Sequence, residues 1–273
     1  MIKINGNEYR LALLDTNAVS EFVKHRASLR SFFTWMHGPP MYVPCFSIFS
    51  ILELGRRDDV YKQFKDLFQV VPCLIIKSHE QLLEEEVRSY PDPSNLDPVL
   101  LAFSALGGEG MDLDRVLGTA FGDDWLLDRA RYWNESAHGI VEGIASLVSN
   151  YPPEGETYRP AEARHFVEVT TFEQLAMRQA DFAKYWVKER SEVVDIRAFP
   201  SVKATSYAVW HKFYSDRNRK IHTSDAFDII IASAVPYVDA VVTESHLAES
   251  LRKTQRMDDF IEHITIYTLR DFR

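Results

Sequence analysis

Leu11-Ala12-Leu13-Leu14-Asp15-Thr16-Asn17 is the stretch on which the fold turns. Four apolar residues run directly into a carboxylate and two short polar side chains. A short apolar run of this kind suits a strand buried on both faces of an α/β sheet. In such sheets chemistry gathers just past the carboxyl ends of the strands. Asp15 therefore stands at the mouth of the sheet, and Asn17 is placed to cap the helix that follows. An acid in that position is a cation ligand or a turn residue. What decides between the two is whether the chain brings other acids to meet it.

Outward from this strand (residues 8–15), the apolar residues between Ala18 and His37 recur at helical spacing, and Gly38-Pro39-Pro40 stops that helix. Met41–Cys45 reads as a short strand, with Pro44 hinting at its end or at a sheet edge. A helix starts near Ser47 and carries Glu53 among apolar neighbours, an expensive place for a carboxylate without a partner. The plainer reading of Glu53 is a capping box with Ser50 and a later helix start. Residues 58–68 are helical and Cys73–Ile76 is a third strand, so strand and helix alternate as in a parallel α/β sheet.

From Ser78 the character changes. His79–Ser89 is helical and acidic, and Tyr90-Pro91-Asp92-Pro93 breaks it. Asp97-Pro98 reads as a helix cap with proline at the first helical position, followed by the apolar stretch Val99–Leu106 and the turn Gly107–Gly110. Helices are expected over residues 112–121, 124–150, 172–192 and 201–215, with a loop from Asn150 to Pro160. The sheet resumes with a helix over Thr223–Ala234 opened by a Thr/Ser cap, a strand at Ala240–Ser245, a helix over Leu247–Lys253 and a last strand at Ile264–Tyr267.

With 273 residues, 46% hydrophobic and 12% aromatic, the chain can bury a sizeable core. A net charge of −9 does not announce a nucleic-acid binder, yet a nuclease can be acidic overall and meet phosphate through a local basic patch. Cys45 and Cys73 both lie in apolar surroundings and read as reduced core thiols. No signal-peptide apolar region opens the sequence and no run of about 18 apolar residues occurs, so a soluble cytoplasmic protein is expected.

The acids coincide in position. Asp15 follows a buried strand, Glu53 sits on an apolar helix, Asp225 and Asp228 are three apart at a helix start, and Glu244 with Ser245 follows another buried strand. Each alone has a structural explanation: a turn residue, a helix cap, a first-turn acid favoured by the dipole, a solvated charge. Together, on neighbouring parallel strands, they reach one edge, where several carboxylates need a cation or shared protons. All-oxygen ligands favour Mg²⁺ or Mn²⁺. The nine histidines include no i, i+4 pair and the chain has no Cys-x-x-Cys, so zinc has little support. Gly107–Gly110 lacks a following Lys-Ser/Thr, no Gly-x-Ser-x-Gly occurs, and Asn17 stands where a dehalogenase-type phosphatase would want a second aspartate.

In order, "LLDTN", "SILEL", "DIIIASA" and "VVTES" resemble the four signatures of PIN-domain nucleases, over residues 8–77 and 220–267. The resemblance implies a central parallel sheet flanked by helices. Residues 1–78 and 201–273 would form the two parts of that core, and residues 79–200 a mostly α-helical insertion. It implies metal-dependent cleavage of RNA, with Asp15, Glu53 and Asp228 as catalytic acids and metal ligands. Glu244 or Asp225 would complete the set where the family often has an acid or asparagine and this chain has Ser245. Thr16, Asn17, Thr243 and Ser245 would support the site. Toxin ribonucleases belong to this family, so a toxin or defence effector, single-stranded RNA as substrate, an inhibitory protein partner and a homo-oligomer are all within the expectation.

Phosphate contacts are expected from Arg56 and Arg57, one turn beyond Glu53, and from Arg217, Arg219 and Lys220, ahead of the Asp225 helix. Lys203, His211 and Lys212 belong to the same basic run, interleaved with Tyr207, Trp210, Phe213 and Tyr214; the aromatics read as core. The alternative is a PIN-like module with an incomplete site that binds nucleic acid or protein without cleaving it. A metal-dependent phosphatase or DNA flap-type nuclease is a third reading.

Overall fold

The computed structural model describes residues 2–4, 6–90, 92, 96–103, 118, 125–150, 159–178, 194–215 and 222–273. Its frame is an α/β layer structure in which a mostly parallel sheet is flanked by helices. The strands are β1 (Ile2–Ile4), β2 (Asn7–Leu14), β3 (Tyr42–Ser47), β4 (Cys73–Ile76), β5 (Val99–Phe103), β6 (Ala240–Thr243) and β7 (Thr265–Thr268). They lie in the order β5-β4-β3-β2-β6-β7, with β1 folded back antiparallel on the start of β2. The four pairings from β4 through β3, β2 and β6 to β7 are parallel. Leu11 to Leu14 are buried, as their apolar run requires of a strand covered on both faces.

The chain moves outward from β2 through β3 to β4, then returns to the other side of β2 as β6 and β7. The order therefore reverses at β2. In open α/β sheets such a switch point leaves a crevice at the carboxyl ends of the strands. That is where β2 delivers Asp15.

The helices are α1 (Thr16–Lys24), α2 (Arg26–His37), α3 (Ile48–Leu54), α4 (Asp58–Phe68), α5 (His79–Ser89), α6 (Trp125–Asn150), α7 (Pro160–Arg178), α8 (Pro200–Val209), α9 (Ser224–Ala232) and α10 (Ser245–Met257). A π-helical turn, Trp210–Ser215, continues α8. α1 packs on α2, α3 and α4, and α9 packs on α3, α6 and α8. Among the described residues no helix is long and apolar enough to cross a membrane. Cys45 and Cys73 are free and buried, and burial pushes both thiols up.

Several local expectations give way to packing. The single helix over residues 18–37 is two, broken at His25, whose φ of −120° and ψ of 104° are extended. The reason is rotational: ten residues of unbroken helix would turn Phe32 roughly 80° away from the face of Phe22. The break lets the two rings stack at 4.5 Å. Pro44 lies in a central strand rather than at an edge. The β3–β4 ladder begins only at Cys45, so at Pro44 there is no pairing with β4 to interrupt. Val99–Phe103 is not helical; Asp97 accepts the Val99 N–H at 3.0 Å, and the chain then runs antiparallel along β4. The middle of the chain thus contributes a strand. The helix expected from residue 172 begins at Pro160, and residues 179–193 lie outside the described residues. So do Gly107–Gly110 and, apart from residue 118 and the ends of the loop, the segments expected at 112–121 and 150–160.

Candidate functional site

Register builds the centre of the site. Leu14 pairs with Val242, so β2 and β6 end side by side, and Asp15 just past β2 emerges beside Thr243, the last residue of β6, and Glu244. Asp15 caps α1 itself: its Oδ1 accepts the Ala18 N–H at 2.6 Å. Asn17 is therefore not the cap. It lies exposed in the first turn, and its amide donates to Glu244 Oε2 at 3.2 Å. Asp15 Oδ2 accepts from the Thr243 hydroxyl and, at 3.2 Å, from the Glu244 N–H. Three donors would ordinarily hold a carboxyl low. Burial outweighs them, since Asp15 is only 3% exposed, and its pKa is pushed up to about 7, with repulsion from Asp228 adding to the rise.

Glu53 enters from the other side. α3 starts directly after β3, capped by Ser47, whose Oγ accepts the Phe49 N–H at 3.3 Å. Ser50 is buried inside the helix, so the capping box with Glu53 does not form. Glu53 is half-buried near the helix end. Its carboxyl is raised first by burial and then by repulsion from Asp228 and Glu244; Thr16 and Arg56 pull it down. Thr16 Oγ1 is buried and close to Glu53, without a hydrogen bond of good geometry.

α9 supplies the remaining acids, and they differ. Thr223 makes no cap bond; Asp225, in the first turn, reaches back to the His222 N–H, which Oδ2 accepts at 2.9 Å. Asp225 is wholly buried and its Oδ1 accepts from Lys212 Nζ at 3.0 Å. The same Nζ donates to Asp228 Oδ2 at 2.6 Å. Asp228 is half-buried and repels both Asp15 and Glu53.

The structure thus gathers Asp15, Glu53, Asp228 and Glu244 into one field of like charge, with Thr16, Asn17 and Thr243 among them. Asp225 faces the buried lysine, and Ser245 is exposed as the first residue of α10. Arg56 lies at the rim, its guanidinium 4.5 Å from the centre of the Phe227 ring. Arg57 pairs with Asp59 at 3.7 Å. Arg217, Arg219 and Lys220 lie outside the described residues. Of the rest of the basic run, Lys203 is buried against Asp258 at 2.9 Å, His211 meets Thr254 at 3.1 Å, and Tyr207, Trp210, Phe213 and Tyr214 are core. Beside Asn17 and Glu244 opens a cavity of about 280 Å³ edged by Ser20, Glu21, Lys24 and His25, none of which a motif marked.

The donor set is all carboxylate oxygen, which suits Mg²⁺ or Mn²⁺ in kind. Among the described residues no three His, Cys, Asp or Glu side chains form a ready cage. Neighbouring carboxylates disfavour one another's charged form, and a cation offsets that cost. Burial of Asp15 and Glu53 beside the like charge of Asp228 is the feature that a divalent ion would relieve, so the donor chemistry fits such an ion. No family model, no curated protein and no solved structure matches the chain.

Proposed function

We propose that the chain is a PIN-like, Mg²⁺- or Mn²⁺-dependent nuclease that hydrolyses RNA phosphodiesters at the carboxylates of the switch point. One arrangement carries this reading: Asp15 is buried at the carboxyl end of the central strand, and Asp228 on α9 lies close enough to raise both it and Glu53. Buried acids held in one another's field are poised for a cation. Asp15, Glu53, Asp228 and Glu244 would hold the ion. When bound, it would supply polarisation of a phosphoryl oxygen and acidification of an attacking water. The protein's own part is positioning. Thr243 and the Glu244 N–H fix the Asp15 carboxyl, and Asn17 steadies Glu244. Arg56, anchored over Phe227, and Lys24 along the adjoining cavity offer charge to phosphates.

The test is cleavage of a mixed RNA panel by the full chain with Mn²⁺, Mg²⁺ or EDTA. Asp15→Asn and Asp228→Asn are each expected to lower the rate by about a hundredfold or more, since each removes charge from an ion-binding field. Activity that persists in EDTA, or in Asp15→Asn, refutes the reading. A second reading rests on Lys212, which already pairs with both Asp225 and Asp228. In it the acids need no ion and the module binds nucleic acid or protein without cleaving. No cleavage together with no divalent-ion binding would favour that alternative.

A further inference from the structure

Lys212 lies in the aromatic run Trp210-His211-Lys212-Phe213-Tyr214, on the π-helical turn that continues α8. Its side chain is fully buried. A buried ammonium is costly unless it is paired and hydrogen-bonded. Nζ meets Asp225 Oδ1 at 3.0 Å and Asp228 Oδ2 at 2.6 Å, so one cation is shared between two acids spaced three apart on α9. Asp225 has its other oxygen on the His222 N–H. Asp228 is the member of the pair that also acts on Asp15 and Glu53. A cation is therefore already resident on the α9 side of the acidic field, tied to the protein by a side chain.

Two-metal hydrolases place ions about 4 Å apart, each shared by bridging carboxylates. Here Asp228 is bridged on one side by an ammonium. Resting on the metal-site reading above, we infer that Lys212 is a built-in cation standing where a second divalent ion would go. The site takes one ion, and Lys212 positions Asp228 to receive it. π-Helical turns recur at functional sites. Here the turn carries the lysine that meets both acids of α9.

Manganese titration of the full chain, read by calorimetry and by electron paramagnetic resonance, tests this without using activity. Wild type is expected to bind a single Mn²⁺. Lys212→Gln removes one positive charge and frees Asp225 and Asp228 together, and is expected to bind a second ion. Because that variant leaves the buried Asp225 without its cation, circular dichroism checks its fold. The double variant Lys212→Gln, Asp225→Asn removes one charge of each sign, so a change in its affinity reports the positioning of Asp228. It is expected to bind a single ion about tenfold more weakly than wild type, the scale seen when a ligand's outer partner is lost. Two ions bound by wild type, or a double variant that binds as tightly as wild type, overturn the inference while leaving the nuclease reading standing. A wild type that binds no Mn²⁺, or binding that survives Asp15→Asn, overturns both.

Discussion

Glu86 shows at the residue scale what burial does to a carboxyl with good partners. It sits on α5 with no exposure. Oε1 accepts the Ser201 N–H and Oε2 the Ser201 hydroxyl, both at 2.7 Å, and the Tyr237 hydroxyl also donates to Oε1. One acid thereby ties α5 to the start of α8 and to the turn before β6. Burial still wins over the three donors and pushes the pKa from 4.5 to about 7. The folded chain then holds this proton where the unfolded chain has lost it. The stabilisation is full below about pH 4.5 and falls as pH rises toward 7. Buried His211, lowered to about 4, acts with the opposite sign over part of that window, because the unfolded chain binds its proton more tightly. The difference between wild type and Glu86→Gln isolates Glu86. Urea unfolding from pH 4.5 to 7.5 is expected to show wild type losing on the order of 3 kcal/mol relative to the variant. The amide can donate to Ser201 Oγ while Oε1 keeps its two donors. Parallel pH profiles would show that Glu86 is not protonated in the fold.

At the scale of elements, the C-terminal 3-10 turn Leu269–Phe272 locks α1 and α2 to the sheet. Phe272 is 2% exposed, edge-on to Phe22 at 5.3 Å and to Trp35 at 5.4 Å, while Trp35 stacks on Tyr42 of β3 at 4.3 Å. Phe272→Ala is expected to cost about 3 kcal/mol by urea unfolding, from lost burial and an unfilled gap. Arg273→Ala, which breaks an exposed ion pair with Glu21, is expected to cost far less, close to nothing measurable. Equal effects would mean that the turn holds by charge rather than by packing. None of this is legible at Phe272 in the sequence, because the cluster is assembled from residues far apart in the chain. What the sequence does declare are the elements whose pattern is local. The apolar runs of β2, β4 and β6 end in the right places, and a carboxylate among Ile51, Leu52 and Leu54 singles out Glu53, though the capping box with Ser50 reads equally well there. The same signal, a charge among aromatics, marks Lys212, but a neighbouring run of cations makes it look like part of a solvated face. Val99–Phe103 is five apolar residues with no period to tell strand from helix, and only the open edge of β4 decides it. The break at His25 likewise answers to where Phe32 must go, not to any breaker in the sequence.

For the whole molecule, the site lies where independent parts of the chain converge: β2 from the first residues, α3 from the return after β3, and α9 and β6 from the far end. Glu53 and Asp228 meet only because α9 packs on α3, and Asp15 meets Glu244 only through the β2–β6 register. In the unfolded chain these acids are scattered over more than two hundred residues and offer no common field. An ion that binds the folded site and not the unfolded chain must stabilise the whole molecule by mass action, by about 2.7 kcal/mol at a hundred times its dissociation constant. For a chain of this size each kcal/mol moves the melting midpoint by about 2–4 °C, so saturating Mn²⁺ should raise it by roughly 5–10 °C. The rise should also be larger at pH 8 than at pH 6, because Asp15, with its pKa near 7, must shed its proton to bind the ion. Asp15→Asn should abolish the rise, whereas Glu86→Gln, far from the acids in the sequence and tied to other elements, should preserve it. A midpoint that Mn²⁺ leaves unmoved at pH 8, in a wild type that melts cooperatively, would mean that the convergence of these acids serves the fold alone.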